Sequence, residues 1–131
     1  MEQRYLRWQG WLVRYALGGS GDAAAPTALL VHGFGASSDQ WDRVFEQLLA
    51  LDLVGFGHSA KPPLSFSQYS WADCARDVAL RVGGGPFFIA GNSIGGYISM
   101  GVAADCKELC RGVVLVNSAG TSVSAKGAMD D

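Results

Sequence analysis

The residues most suited to chemistry are Gly91-Asn92-Ser93-Ile94-Gly95-Gly96, set between an apolar run, Phe87 to Ala90, and a helix-forming run, Tyr97 to Ala104. A G-x-S-x-G turn in that position is a nucleophile elbow. The strained strand-to-helix turn lifts a serine hydroxyl clear of the sheet, and Gly91 and Gly95 carry no side chains to crowd it. The helix that follows aims its N-terminus at the place where a carbonyl oxygen would gain negative charge. Taken alone, the pentapeptide reads equally well as a glycine-rich turn with an incidental serine; its flanks favour the chemical reading. A serine nucleophile needs a base, and the chain has two histidines, His32 and His58, each inside a glycine-rich turn. No histidine follows Ser93. The aspartates that do are Asp105, at a helix end, and Asp130 and Asp131, in a polar tail, and none makes a good triad acid.

The other candidate sites fail on context. Gly55-Phe56-Gly57-His58-Ser59-Ala60 spells G-x-G-x-x-A after an apolar run, but Lys61-Pro62-Pro63 blocks the helix that would hold a pyrophosphate, so a nucleotide is not expected. Cys74, Cys106 and Cys110 are odd in number and lack framework spacing, which argues for a reducing compartment. Cys106 and Cys110 have the spacing of one helix face, yet a four-ligand zinc site lacks donors. No metal and no cofactor is expected.

Composition narrows the classes further. The 131 residues are 49% hydrophobic and 17% charged, enough apolar material for one domain. The net charge of −2 is spread along the chain, which argues against nucleic acid. Eighteen glycines without a period, beside only four prolines, mark turns rather than a fibrous or disordered chain. The first twenty residues carry Arg4, Arg7 and Arg14 but no apolar signal core, and no transit peptide is visible. The uncharged stretch from Val82 to Ala104 is long enough to cross a bilayer, but Gly83-Gly84-Gly85-Pro86 and the glycines at 91, 95 and 96 break it into strand, turn and helix.

The elements that must position Ser93 follow from periodicity. Tyr5–Trp8 and Trp11–Leu17, parted by Gln9-Gly10, predict a hairpin, and Gly18–Pro26 a loop. Ala28–Val31, Phe87–Ala90 and Val113–Val116 read as parallel strands buried on both faces. Trp41, Val44, Phe45 and Leu48 fall on a helical stripe, with Ser37 and Gln40 at capping-box spacing. A second stripe joins Trp71, Cys74, Ala75, Val78, Ala79 and Val82, with Ser70 as cap and the Gly83 cluster as stop, and it makes Cys74 a small core residue. Strands alternating with helices predict an α/β fold. One conflict remains: Leu48–Leu51 are needed both to end the first helix and to form the strand before Asp52 and Leu53. Usual connection and strand lengths leave this crossover short by about ten residues, so a segment is expected to be missing near 49–51.

The segments LLVHGFGASSDQW, LDLVGFGHSAKP, FFIAGNSIGGY and RGVVLVNSAG, in that order, resemble the α/β-hydrolase superfamily of the AB hydrolase-1 type, over nearly the whole chain. The GNSxGG elbow is similar to those of plant and algal pheophytinase-like esterases and of bacterial hydrolases of carbon–carbon bonds. The resemblance implies the N-terminal part of that fold, incomplete, with a mostly parallel sheet and an N-terminal hairpin. It makes Ser93 the nucleophile, the backbone N–H groups of Phe34 and Ile94 the oxyanion hole, and His32 a structural histidine bracing its loop rather than the base. Gly33, Gly91 and Gly95 are supporting residues, and His58 is a solvated turn histidine. In this superfamily the acid, the base, the lid and the last strands come after the nucleophile, whereas here the sixth strand ends near Asn117 and a tail, 120–131, remains. The expected function is therefore ester hydrolysis by a serine nucleophile on a small apolar substrate in the full-length form, with this chain inactive for want of acid and base. Two alternatives stand beside it, a non-catalytic splice form or remnant that binds a partner, and a C–C bond hydrolase. The expected location is soluble and intracellular, and the resemblance admits a plastid.

Overall fold

The computed structural model describes residues 2–19, 25–44 and 48–120. Strands β1 (Glu2–Trp8) and β2 (Trp11–Gly18) form the expected hairpin, paired from Glu2 with Leu17 to Trp8 with Trp11. Gln9 and Gly10 both take positive φ, 47° and 87°, the turn whose twist matches two right-twisted strands. Strand β3 (Thr27–Val31) and strand β4 (Leu48–Leu51) run parallel, and β4 also pairs antiparallel with β2. Strand β5 (Phe87–Asn92) lies parallel to β3 on its other side, and β6 (Cys110–Val116) lies parallel to β5. The order across the sheet is β1-β2-β4-β3-β5-β6. Ser93 thus follows a strand in the interior of the sheet, flanked by β3 and β6.

Helix α1 (Gln68–Val78) buries Trp71, Cys74, Ala75 and Val78, and helix α2 (Ile94–Asp105) buries Ile98 and Val102. Both cover one face of the sheet, where Leu29, Val31, Leu49, Leu51, Phe87 and Ile89 complete the main core. Each such side chain contributes about 1.5–3 kcal/mol by leaving water. A smaller cluster on the opposite face joins Leu30, Leu48 and Ala50 to Trp41. Cys74 is wholly buried, and burial pushes its thiol up to about 12, as suits a core residue. No helix among the described residues is long and apolar enough to cross a membrane.

The structure corrects several expectations. Among the described residues no α-helix starts at Ser37: a short 3-10 turn, Ser38–Trp41, stands there, and Leu48–Leu51 go wholly to β4. Four buried residues between β2 and β3 gain two sets of ladder bonds there, which outweighs the four-residue helical stripe from Trp41 to Leu48. Ser37 accepts from the Asp39 N–H at 3.3 Å, while Gln40 turns away to accept from the Gly33 N–H, so no capping box forms. Phe45, part of the expected stripe, lies outside the described residues, as do 20–24 of the expected loop and 121–131 of the tail. The cap of α1 is Ser67, which accepts from the Ser70 N–H at 3.3 Å, and α1 closes through a π turn, Ala79–Gly83, with Gly84 left-handed at φ 69°. Cys106 ends α2 and Cys110 opens β6, so the two do not share a helix face.

The expectation of strands buried on both faces holds for Leu29–Val31 of β3, fails on one face of β5, and fails for β6, whose Val113 to Val116 are 38–56% exposed. Phe88 of β5 is 43% exposed on the same side as Val114 and Val116. Among the described residues β6 is an edge strand, with no partner beyond β5.

Candidate active site

Ser93 stands between the last residue of β5 and the first of α2 with φ 54° and ψ −121°. A non-glycine residue in that region costs on the order of 1–3 kcal/mol and persists only where its surroundings over-determine it. They do so here. The Ser93 N–H donates to the Val116 carbonyl at 3.1 Å, and the Ser93 carbonyl accepts from Gly96 at 3.0 Å and Ala119 at 2.8 Å. Asn92 adds a side-chain bond from Nδ2 to the same Val116 carbonyl at 3.1 Å, a contact the sequence reading did not assign. A Cβ on Gly91 would collide with the Gly95 carbonyl, and one on Gly95 with the carbonyls of Val31 and His32. Those two glycines let the backbone cross itself and cross the end of β3.

The turn after β3 lies against this elbow. A Cβ on Gly33 would come within 2.9 Å of Asn92 Oδ1 and 3.5 Å of Ser93 Cβ. The Gly33 N–H is taken by Gln40 Oε1 at 3.2 Å, whereas the next N–H, that of Phe34, meets no acceptor among the described residues. Ile94 is the first residue of α2, so its N–H has no partner within the helix and makes no other bond among the described residues. Ile94 follows the serine directly, and Phe34 follows Gly33, whose turn lies against it. The Phe34 ring is 74% exposed and touches Phe56 edge-on at 5.2 Å, and Phe56 in turn packs on Trp71.

His32 is fully buried, and both its ring nitrogens are engaged: Nδ1 donates to the Gly33 carbonyl at 2.7 Å and Nε2 accepts from the Leu53 N–H at 3.0 Å. Burial lowers its pKa, only partly offset by the Gly33 carbonyl and Asp52, so the ring is neutral. Neither nitrogen is free to take a proton from Ser93. His58 is 65% exposed but not merely solvated, because Arg14 Nη1 donates to its Nδ1 at 2.5 Å. It belongs to a buried cluster around Arg14 and Asp52 that sequence reasoning missed. Asp105 is exposed and lies 3.7 Å from Arg76, while Asp130 and Asp131 fall outside the described residues.

The model of the alpha/beta hydrolase fold matches residues 26–130. The chain belongs to the alpha/beta hydrolase family. This alpha/beta hydrolase is 33% identical to a bacterial membrane phospholipase A of known structure, with a TM-score of 0.83 over 92% of this chain and 41% of that one. It is 30% identical over 131 residues to the 2-hydroxy-6-oxo-6-(2'-aminophenyl)hexa-2,4-dienoic acid hydrolase of Metapseudomonas resinovorans, covering 92% of this chain and 44% of that enzyme. It is also 28% identical over 143 residues to the chloroplastic pheophytinase of Arabidopsis thaliana, covering 81% of this chain and 30% of that protein. The alpha/beta hydrolase chain thus spans less than half the length of these relatives.

Proposed function

We propose that this chain carries the nucleophile half of a serine hydrolase acting on carboxylic esters, with Ser93 as nucleophile and the N–H groups of Phe34 and Ile94 as the oxyanion hole. In the reaction, Ser93 Oγ bonds to the ester carbonyl carbon and gives its proton to a base. The carbonyl oxygen becomes an oxyanion held by the two N–H groups, and the C–O bond to the alcohol then breaks to leave an acyl-serine. Water, activated by the same base, releases the acid. The observation that carries this reading is the backbone of Ser93, held at positive φ before Ile94 and against the turn that leads to Phe34, whose N–H groups meet no acceptor among the described residues. His32, Gly33, Gly91 and Gly95 support that geometry without touching substrate.

Neither histidine serves Ser93 as base. His32 is committed to its own loop and His58 to Arg14. A serine hydroxyl without an adjacent base is a weak nucleophile, so we infer that this chain by itself does not turn over. We infer too that the crossover from β3 to β4 is shorter by about ten residues than a helix-bearing connection requires. A C–C bond hydrolase remains the second reading, favoured by the relative from Metapseudomonas resinovorans. The small apolar substrate is suggested by the exposed Phe34 ring beside the serine.

The test is a fusion of this chain to the C-terminal half of a relative, with the crossover lengthened. Hydrolysis of an activated aryl ester that vanishes in Ser93→Ala supports the reading. A fusion that folds and leaves the ester intact contradicts it.

A further inference from the structure

The Asp52 carboxylate is wholly buried at the end of β4, beside an Arg14 that is 1% exposed. Arg14 Nη1 lies 3.4 Å from Asp52 Oδ2, and Arg14 Nη2 donates to Asp39 Oδ1 at 2.7 Å. Such pairs seldom raise stability over an apolar replacement, because desolvation cancels most of the attraction. What Asp52 does is accept backbone bonds. Its Oδ1 takes the Ser38 N–H at 2.6 Å and its Oδ2 the His58 N–H at 2.7 Å, while its own carbonyl accepts from Ser59 Oγ at 2.6 Å. Ser59 Oγ in turn accepts from the Arg14 N–H at 2.8 Å, so β2, the end of β4 and the turn after it are joined.

The next residue, Leu53, donates its N–H to His32 Nε2. Two consecutive residues at the end of β4 therefore grip the loop 33–37 at both ends, at His32 before it and at Ser38 after it. That loop carries Phe34.

We propose that Asp52 is a positioning residue: through the Ser38 N–H it fixes the loop that presents the Phe34 N–H to the carbonyl oxygen of the substrate. This rests on the reading of Ser93 as nucleophile for its chemical consequence, though not for the clamp itself. Arg14 Nη1 lies against the carboxylate and holds its orientation, with His58 and Asp39 completing the shell around it. The clamp explains why a charge is kept in the interior of the sheet end, and why Gly57 must lack a Cβ, which would collide with Asp52 Oδ2.

Ser38→Pro tests the clamp on the full chain, since it removes one N–H and leaves Arg14, Asp52 and His58 in place. Ser38 is the first residue of its 3-10 turn and follows an extended Ser37 (φ −150°, ψ 177°), a position that tolerates proline. The readout is amide exchange at Gly33 and Ala36, which donate to Gln40 Oε1 and to the Gly33 carbonyl and not to Asp52. Exchange there should quicken about 10-fold or more, the scale of a lost bond to a charged group, while Ile89 and Ala90 of β5 keep their rates. Asp52→Asn should act in the same direction. When the chain is joined to a relative's C-terminal half and treated with a fluorophosphonate, the phosphorus resonance of the Ser93 adduct should also move in Ser38→Pro. Unchanged rates at Gly33 and Ala36, or rates that rise only in step with β5, would overturn the proposal. Quickened exchange with an unmoved phosphorus resonance would overturn the part that concerns the oxyanion. If the joined chain forms no adduct at Ser93, the nucleophile reading fails, and the exchange rates still decide the clamp.

Discussion

His32 Nε2 accepts the Leu53 N–H at 3.0 Å, a bond that exists only while the ring is neutral. Protonation would set an N–H against an N–H around a ring that is fully buried. Because the folded-state pKa of His32 lies below its ordinary value of 6.5, the unfolded chain takes up a proton first as pH falls. The stability linked to neutral His32 is fully present above about pH 6.5 and is lost below it, at up to about 1.4 kcal/mol per pH unit until the folded-state pKa is reached. Denaturant melts between pH 7.5 and 5 should show this slope, and His32→Gln should flatten it. A wild-type stability that does not change across that window would count against the assignment.

Gly95→Ala should be among the most damaging single changes in the chain. The new methyl would press on the backbone carbonyls of Val31 and His32, which cannot yield without moving β3. A loss of about 3 kcal/mol or more is expected, at the upper end of overpacking costs. Thermal melts of the variant beside Gly85→Ala, whose Cβ would meet nothing within 4 Å and whose φ is not positive, give the comparison.

The exposed side of β6 should drive association. Val114 and Val116 stand beside Phe88 on an uncovered sheet face, and the β6 backbone edge is open among the described residues. Sedimentation should show mass rising with concentration, and a dye for apolar surface should bind. Val114→Lys should reduce both and leave the melt within about 0.5 kcal/mol, as exposed changes usually do. Strictly monomeric sedimentation of the wild type, with no dye bound, would contradict this.

Thiol reagents should separate the cysteines. Cys74 is fully buried with its thiol pushed up to about 12, whereas Cys110 is half-buried. Under native conditions Cys110 should react first, and Cys74 only as fast as the chain unfolds. Mass spectrometry of timed alkylation reads the order.

Much of this fold was legible because its signals are local. Gln9-Gly10 forms the positive-φ pair that a tight hairpin requires, Trp71 to Val78 repeats at helical spacing, and the glycines around Ser93 mark a backbone crossing that admits no Cβ. What escaped depends on partners distant in sequence. The stripe from Trp41 to Leu48 has helical spacing, but the slot between β2 and β3 claims Leu48–Leu51, and no property of that tetrapeptide reveals the vacancy beforehand. The apolar run at Val113–Val116 correctly gives a strand, yet whether its faces are covered depends on what lies across from them. Arg14 and Asp52 are 38 positions apart, single charges in apolar strands with no repeat to betray their pairing. Their role emerges only once β2 and β4 are side by side.

On the proposed reading Ser93 is a nucleophile whose base is neither His32 nor His58, both engaged elsewhere. The rate of fluorophosphonate labelling at Ser93 in the full 131-residue protein tests it most directly. Labelling should be slow, no faster than at an ordinary surface serine, and should become fast and stoichiometric when the chain is joined to a relative's C-terminal half. Fast, stoichiometric labelling of the unmodified chain that disappears in Ser93→Ala would contradict the account, because it would mean that a base, with His32 the first suspect, already serves the serine.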